Sequence, residues 1–124
     1  MIYDYFSKVQ RKLEAIKWII IEQSINFDFV SDEMSIVTGK LVFIDKSILD
    51  FMELVSREEA EYRFQYMDQT KGLICRWDSA PHHKEVPTFP YHIHTKKGVK
   101  ESIKVNLIEI LDNVSEKVIE NLKL

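Results

Sequence analysis

Five segments with strand character follow one another along this chain, and the connections between them are short. Apolar residues at odd positions from Ile19 to Phe29 alternate with polar residues, which is the period of a strand with one buried face. The connecting loops have about three to five residues, whereas parallel strands need a crossover of about a dozen. We therefore predict an antiparallel meander. The predicted strands cover roughly residues 18–29, 34–44, 48–55, 62–67 and 73–77.

Helical periodicity brackets these strands on both sides. Apolar residues recur at three- and four-residue steps between Ile2 and about Ile16, which predicts an amphipathic helix. Near the other end, Asn106 followed by Glu109 resembles a capping box, and an apolar stripe continues through 107–122. The predicted fold class is α+β: a five-stranded curved antiparallel meander flanked by an N-terminal and a C-terminal helix, in the order α-β-β-β-β-β-loop-α.

Two residues within the predicted strands are unusual for their positions. Gly39 interrupts the second strand, and we expect a bulge or a close approach of another group there. Glu53 stands in the apolar third strand, so it lies either on the exposed face or inward with a partner for its carboxylate.

Composition narrows the class of protein. A chain of 124 residues with 45% hydrophobic residues can fill one core, so we expect a single domain, 1–124. Cys75 is the one cysteine, which excludes a disulfide framework and a cysteine-based zinc site. We expect no membrane span, since no apolar run approaches about 18 residues. The charged, helical start is unlike a signal peptide, so we expect a cytoplasmic protein.

The chemistry is concentrated between Arg76 and His94. This segment contains all four histidines and all three prolines of the chain. The prolines exclude helix, so we expect a loop, with Tyr91 to Lys96 recovering as a short edge strand. From Lys71 to Lys104 there are seven basic and three acidic residues, which gives 7 − 3 = +4 in a chain of net charge −3. Such a patch can steer an anion, although it also fits an ordinary lysine-rich loop.

One hypothesis for this segment is metal-independent cleavage of RNA. A base removes the 2′-OH proton, an acid protonates the 5′-oxygen, and a cation stabilises the phosphorane. The predicted base is His82 or His83, and the predicted acid is His92 or His94. Arg76 is the predicted cation, and Asp78 is expected to orient a histidine. The predicted substrate-binding residues are aromatic groups that stack bases and lysines that hold phosphates: Trp77, Phe89, Tyr91, Lys84, Lys96 and Lys97.

Two other hypotheses use the same segment differently. The four histidines offer nitrogen ligands for a divalent metal such as zinc, and Asp78 and Glu85 are additional possible ligands. With such a metal the protein would be a metal-dependent hydrolase. Their spacing matches neither the H-E-x-x-H motif nor a Cys/His finger. Alternatively, the segment packs as a structural loop, and the protein is a non-catalytic interaction module recognised by another protein.

At this segment the chain resembles the TumE family. The resemblance rests on two stretches, RWDSAPHH at residues 76–83 and TFPYHIH at residues 88–94. The family signature has Asn where Ser79 stands and often His where Tyr91 stands, so the imidazole chemistry here falls on the four histidines present. The resemblance covers roughly residues 1–115 and implies the toxin of a toxin–antitoxin pair. It further implies an RNA target, a small DNA-binding antitoxin encoded nearby and a cytoplasmic location. A homodimer is compatible with the sequence.

Overall fold

A computed structural model describes residues 2–58 and 60–123 of the chain, without the side chains of residues 2 and 3. The N-terminal helix, α1, is followed by a short 3₁₀ turn at Lys17–Ile19, and a second helix, α2, lies near the other end. Between them run the strands β1 to β7. The bounds are α1 Ile2–Ile16, β1 Ile20–Ser31, β2 Met34–Phe43, β3 Ile48–Ser56, β4 Ala60–Met67, β5 Leu73–Asp78, β6 His92–Thr95, β7 Gly98–Glu101 and α2 Leu107–Leu122.

The strands form one antiparallel sheet in which each strand pairs with its neighbour in sequence, in the order β1 to β7. This confirms the α+β class and the meander. The prediction of five strands was too low, because the described residues contain seven. A strand does form within the predicted segment 91–96, as β6, but β7 pairs on its other side, so β6 is internal to the sheet and not an edge strand. The turn into β7 uses Gly98 with φ +113°, a conformation that glycine adopts without strain.

Both helices pack against one face of the sheet. On β4, Tyr62, Phe64 and Tyr66 are buried on this face, while Arg63 and Gln65 alternate onto the other. The register continues the pattern across the sheet, since Phe64 pairs with Trp77 and Gln65 with Arg76. The buried cluster combines apolar residues of both helices and of β2 to β5, among them Val9, Leu13, Leu41, Phe43, Phe51, Phe64, Trp77, Leu107, Leu111 and Val118.

The first strand departs from the predicted single buried face. A register shift between Ile20 and Glu22 interrupts the alternation, and Ile21 is exposed. Phe29, at the far end of β1, is also exposed, although it stacks on Phe6 of α1. Since β1 is an edge strand, only its β2 side is paired, and its apolar residues are covered less than the period-two pattern predicts.

Three sequence predictions are confirmed at single residues. Asn106 and Glu109 form the reciprocal capping box at the start of α2. A Cβ built on Gly39 would lie 2.6 Å from Cζ of Phe51, so the glycine marks a close approach rather than a bulge. Glu53 points inward and accepts a hydrogen bond from the Tyr5 hydroxyl at 2.6 Å.

Candidate functional site

Pairing of β5 with β6 brings the two halves of the histidine segment together. Arg76 lies opposite His94 and Asp78 lies opposite His92, so these four side chains share the sheet face turned away from the helices. Ile93, between the two histidines, packs instead toward the buried cluster on the helix side. The alternation of β6 therefore separates chemistry on one face from core packing on the other.

The loop between these strands, residues 79–91, brings a third histidine to the same face. At its start, Asp78 Oδ1 accepts a hydrogen bond from the backbone N–H of Ala80 at 2.8 Å, as in an Asx turn. At its end, Thr88 donates its hydroxyl to the Tyr91 carbonyl at 2.7 Å and accepts from the Ser102 N–H at 2.9 Å. These contacts hold the start of the loop to the end of β5 and the end of the loop to the residue that follows β7.

Three imidazoles converge under this loop, and we call His83, His92 and His94 the histidine trio. Their ring centroids are 4.8 to 5.2 Å apart, with the rings edge to face. One ring nitrogen from each lies within 4.8 Å of the others, and the Nε2 atoms of His92 and His94 are 3.0 Å apart. His92 is 1% exposed and forms the floor, while His83 and His94 are partly accessible.

The neighbours of the trio assign its protons. His92 Nδ1 lies 2.8 Å from the Pro90 carbonyl oxygen, which can only accept, so this nitrogen carries the proton. Neutral His92 therefore has a lone pair on Nε2, and His94 Nε2 donates to it. His83 Nδ1 lies 2.9 Å from Glu85 Oε1 and donates to that carboxylate, which directs its own Nε2 away from Glu85.

Arg76 sets the electrostatics beside the trio. Burial lowers the pKa of His94, and the positive charge of Arg76 lowers it further. Arg76 Nε lies 3.4 Å from Asp78 Oδ2 as an ion pair, and Nη1 donates to Gln65 Oε1 at 3.4 Å. The Nε atom is buried and has no hydrogen-bond partner among the described residues. Its anionic neighbour is the Asp78 carboxylate, which compensates the charge at a distance too long for a good hydrogen bond.

The remaining predicted site residues fall in different places. His82 is exposed and does not join the trio. Trp77 is 7% exposed within the helix-side core, on the face opposite to the trio, so its ring is not placed to stack a base. Tyr91 is partly buried and stacks on Tyr62, with ring centroids 5.8 Å apart. The exposed candidates are Phe89 and Lys84 of the loop and Lys96 and Lys97 of the β6–β7 turn.

Sequence reasoning missed two partners of the site. Gln65 lies opposite Arg76 in the pairing of β4 with β5. Its position between two aromatic residues of β4 could have predicted that it faces away from the core, on the same side as Arg76. The Pro90 carbonyl, which holds His92, leaves no mark in the sequence because any residue supplies a carbonyl.

Comparison with protein families identifies the family of this chain. A protein-family model described as Toxin TumE matches residues 9–122, nearly the whole chain. No curated protein and no solved structure gave a significant match. Among the described residues, none of the helices combines the length and apolar character needed to cross a membrane.

Proposed function

The chain belongs to the TumE family of toxins, and from this premise we propose that it is an RNA-cleaving toxin that uses the histidine trio for acid–base catalysis. The observation that carries the proposal is the convergence of three imidazoles beside the guanidinium of Arg76. Transfer of a phosphoryl group between RNA oxygens needs a base, an acid and a cation, and these groups supply all three.

The proton positions assign the roles within the trio. Because His94 donates Nε2–H to His92, neutral His94 has its lone pair on Nδ1 and serves as the base for the 2′-OH proton. Protonated His83, oriented by Glu85, serves as the acid and donates Nε2–H to the leaving 5′-oxygen. His92, almost fully buried, is a positioning residue that fixes the tautomer of His94.

Charge around the trio supports an anionic substrate. Arg76 lies opposite His94 on the neighbouring strand, and its positive charge would stabilise the charge that develops on the phosphorane. Lys84 adjoins His83 in the loop, and Lys96 and Lys97 lie in the turn directly after β6, where they would contact flanking phosphates. Phe89 is 40% exposed on the same loop and would stack a base of a single strand.

Cleavage of a single-stranded oligoribonucleotide tests this mechanism. In a chelator-containing buffer, the wild-type protein should release a 2′,3′-cyclic phosphate and a 5′-hydroxyl, and a 2′-O-methyl group at the cleaved position should block the reaction. The variants His83→Gln and His94→Gln should each lose about 10²- to 10⁴-fold in rate, as expected for loss of an acid or base.

A neighbouring histidine provides the matched control. His82→Gln changes an exposed imidazole outside the trio, so cleavage should stay within about twofold of wild type. Thermal denaturation of each variant verifies that it is folded. Equal activity of folded His94→Gln and wild type, or cleavage of the 2′-O-methyl substrate, would contradict the mechanism.

The family also implies a cognate antitoxin. We expect this partner to be a small DNA-binding protein encoded next to the toxin, and we expect the pair to reside in the cytoplasm. Expression of the wild-type chain alone should arrest growth, while co-expression of the neighbouring frame should restore it and yield a co-purifying complex. Growth arrest by the double variant His83→Gln/His94→Gln, equal to that of wild type, would favour a non-catalytic interaction module.

A further inference from the structure

We propose that the histidine trio also binds one divalent transition-metal ion of the zinc type, and that the bound ion inhibits the toxin. Imidazole nitrogen is a preferred ligand of such ions, and three histidines leave one coordination position for water. His83, His92 and His94 are the one group of three or more histidine, cysteine or acidic residues with metal-ligand spacing among the residues the structure describes.

The geometry needs only a small adjustment to accept the ion. Two nitrogens bound to tetrahedral zinc, each at about 2.0–2.1 Å, are separated by about 3.3 Å. The Nε2 atoms of His92 and His94 are already 3.0 Å apart, and both residues lie on the same internal strand. His83 is the ligand from the loop, and the ligand nitrogens lie within 4.8 Å of one another. An inward shift of this loop residue by about 1.5 Å completes the site.

The outer nitrogens of two trio residues have the partners that metal-bound histidines use. A histidine ligand almost always donates its other ring N–H to a carbonyl or a carboxylate, which fixes its tautomer and orientation. His92 donates Nδ1–H to the Pro90 carbonyl at 2.8 Å, and His83 donates Nδ1–H to Glu85 at 2.9 Å. In both rings the inward nitrogen is Nε2, the atom that would bind the ion.

Local charge is compatible with a cation. Two carboxylates face the trio, Asp78 across the β5–β6 pairing and Glu85 in the loop. One cation, Arg76, lies beside them and forms an ion pair with Asp78. Asp78 is thus paired with Arg76, while the Glu85 carboxylate, in direct contact with His83, offsets part of the charge of a divalent ion.

We expect inhibition because the metal would occupy ring nitrogens whose protons the proposed reaction requires, and this step rests on the proposed function. An ion bound at Nε2 of His94 displaces the proton from that atom, and the neutral ring then carries its proton on Nδ1. His94 no longer has a lone pair with which to act as the base. The same ligation at Nε2 of His83 removes the proton that the acid would donate. Metal binding and acid–base catalysis are thus mutually exclusive at the trio.

Cobalt spectroscopy tests the site independently of activity. The full chain, prepared without a histidine tag and stripped with a chelator, is titrated with Co²⁺, and the visible absorption is followed. We expect saturation at one ion per chain, with intensity typical of tetrahedral coordination, and bleaching by one equivalent of Zn²⁺. His94→Gln should weaken binding more than about 100-fold and Glu85→Gln about 10- to 100-fold, the usual cost of losing an outer partner.

A control variant tests whether the trio is the metal site, and an RNA-cleavage assay tests whether the bound metal inhibits the toxin. His82→Gln should bind Co²⁺ within about twofold of wild type, because its imidazole is outside the trio. Absence of a saturable spectrum, or equal weakening by His82→Gln and His94→Gln in folded proteins, overturns the site. In parallel, one equivalent of Zn²⁺ should suppress RNA cleavage by the metal-free protein. Cleavage that rises with Zn²⁺ overturns the inhibition, whereas absence of cleavage in chelator refutes the proposed function and leaves the spectrum unchanged.

Discussion

Glu53 should make the stability of this protein fall as the pH rises through neutrality. Its side chain is 6% exposed and lies at the start of α2, where Oε1 accepts from the Tyr5 hydroxyl and Oε2 from the Leu107 N–H at 3.3 Å. The charged groups that face it are Lys104, which favours the carboxylate, and Glu109, which opposes it. Burial outweighs the favourable contacts and raises the pKa of Glu53 from 4.5 to about 7.

The sign and size of the effect follow from proton linkage. Between the unfolded and folded pKa values the folded state binds more protons, so the free energy of unfolding decreases as pH increases. Glu53 contributes its full stabilisation below pH 4.5, and the contribution is lost as the pH rises through about 7. Each tenfold change in proton affinity is worth about 1.4 kcal/mol, so the total is about 3 kcal/mol. About 2.5 kcal/mol of it falls between about pH 5 and about pH 8.5.

Urea unfolding of wild type and Glu53→Gln at the two pH values measures this contribution. Gln cannot ionise, so subtracting the two profiles removes the other titrating groups. The variant should gain about 2.5 kcal/mol relative to wild type as the pH is raised. Glu61→Gln, an exposed position on the neighbouring strand, is the matched control and should parallel wild type. A difference between wild type and Glu53→Gln that is constant with pH would show that the hydrogen bonds and Lys104 balance burial, and a change of the opposite sign would show that they outweigh it.

Substitutions at three further positions test other contacts by urea denaturation. Tyr5→Phe removes the hydroxyl that donates to Glu53 and should cost about 1–3 kcal/mol; no loss would mean that water replaces this donor. Gly39→Ala places a methyl group 2.6 Å from Phe51 and 2.8 Å from a β1 carbonyl oxygen, and should cost about 1–3 kcal/mol; a neutral result would mean that β1 and β3 yield at little cost. Asn106→Ala removes the α2 cap and should cost about 1 kcal/mol, whereas Asn106→Asp should preserve most of the stability.

Much of the fold could be predicted because it depends on local patterns. Alternation along β2 to β4, the short connections between them and the capping box at Asn106 each act within a few residues, and each was confirmed. The strand at residues 92–95 was predicted, but as an edge strand, and β7 was missed because Gly98–Glu101 is too short to show a period-two pattern. Its pairing becomes favourable because β6 presents an open edge of N–H and C=O groups to it.

The candidate site, like the fold, was predictable from the sequence only in part. Local sequence concentrates the histidines near one arginine and one aspartate, and the period of a strand puts His92 and His94 on a common face. The fold of the loop brings His83 in and leaves His82, its neighbour, in solvent. Adjacent residues in a loop project in directions set by turns and by hydrogen bonds to distant strands. The tertiary structure therefore decides which imidazole joins the trio. It also decides which side chain faces Arg76 and which carbonyl accepts from His92.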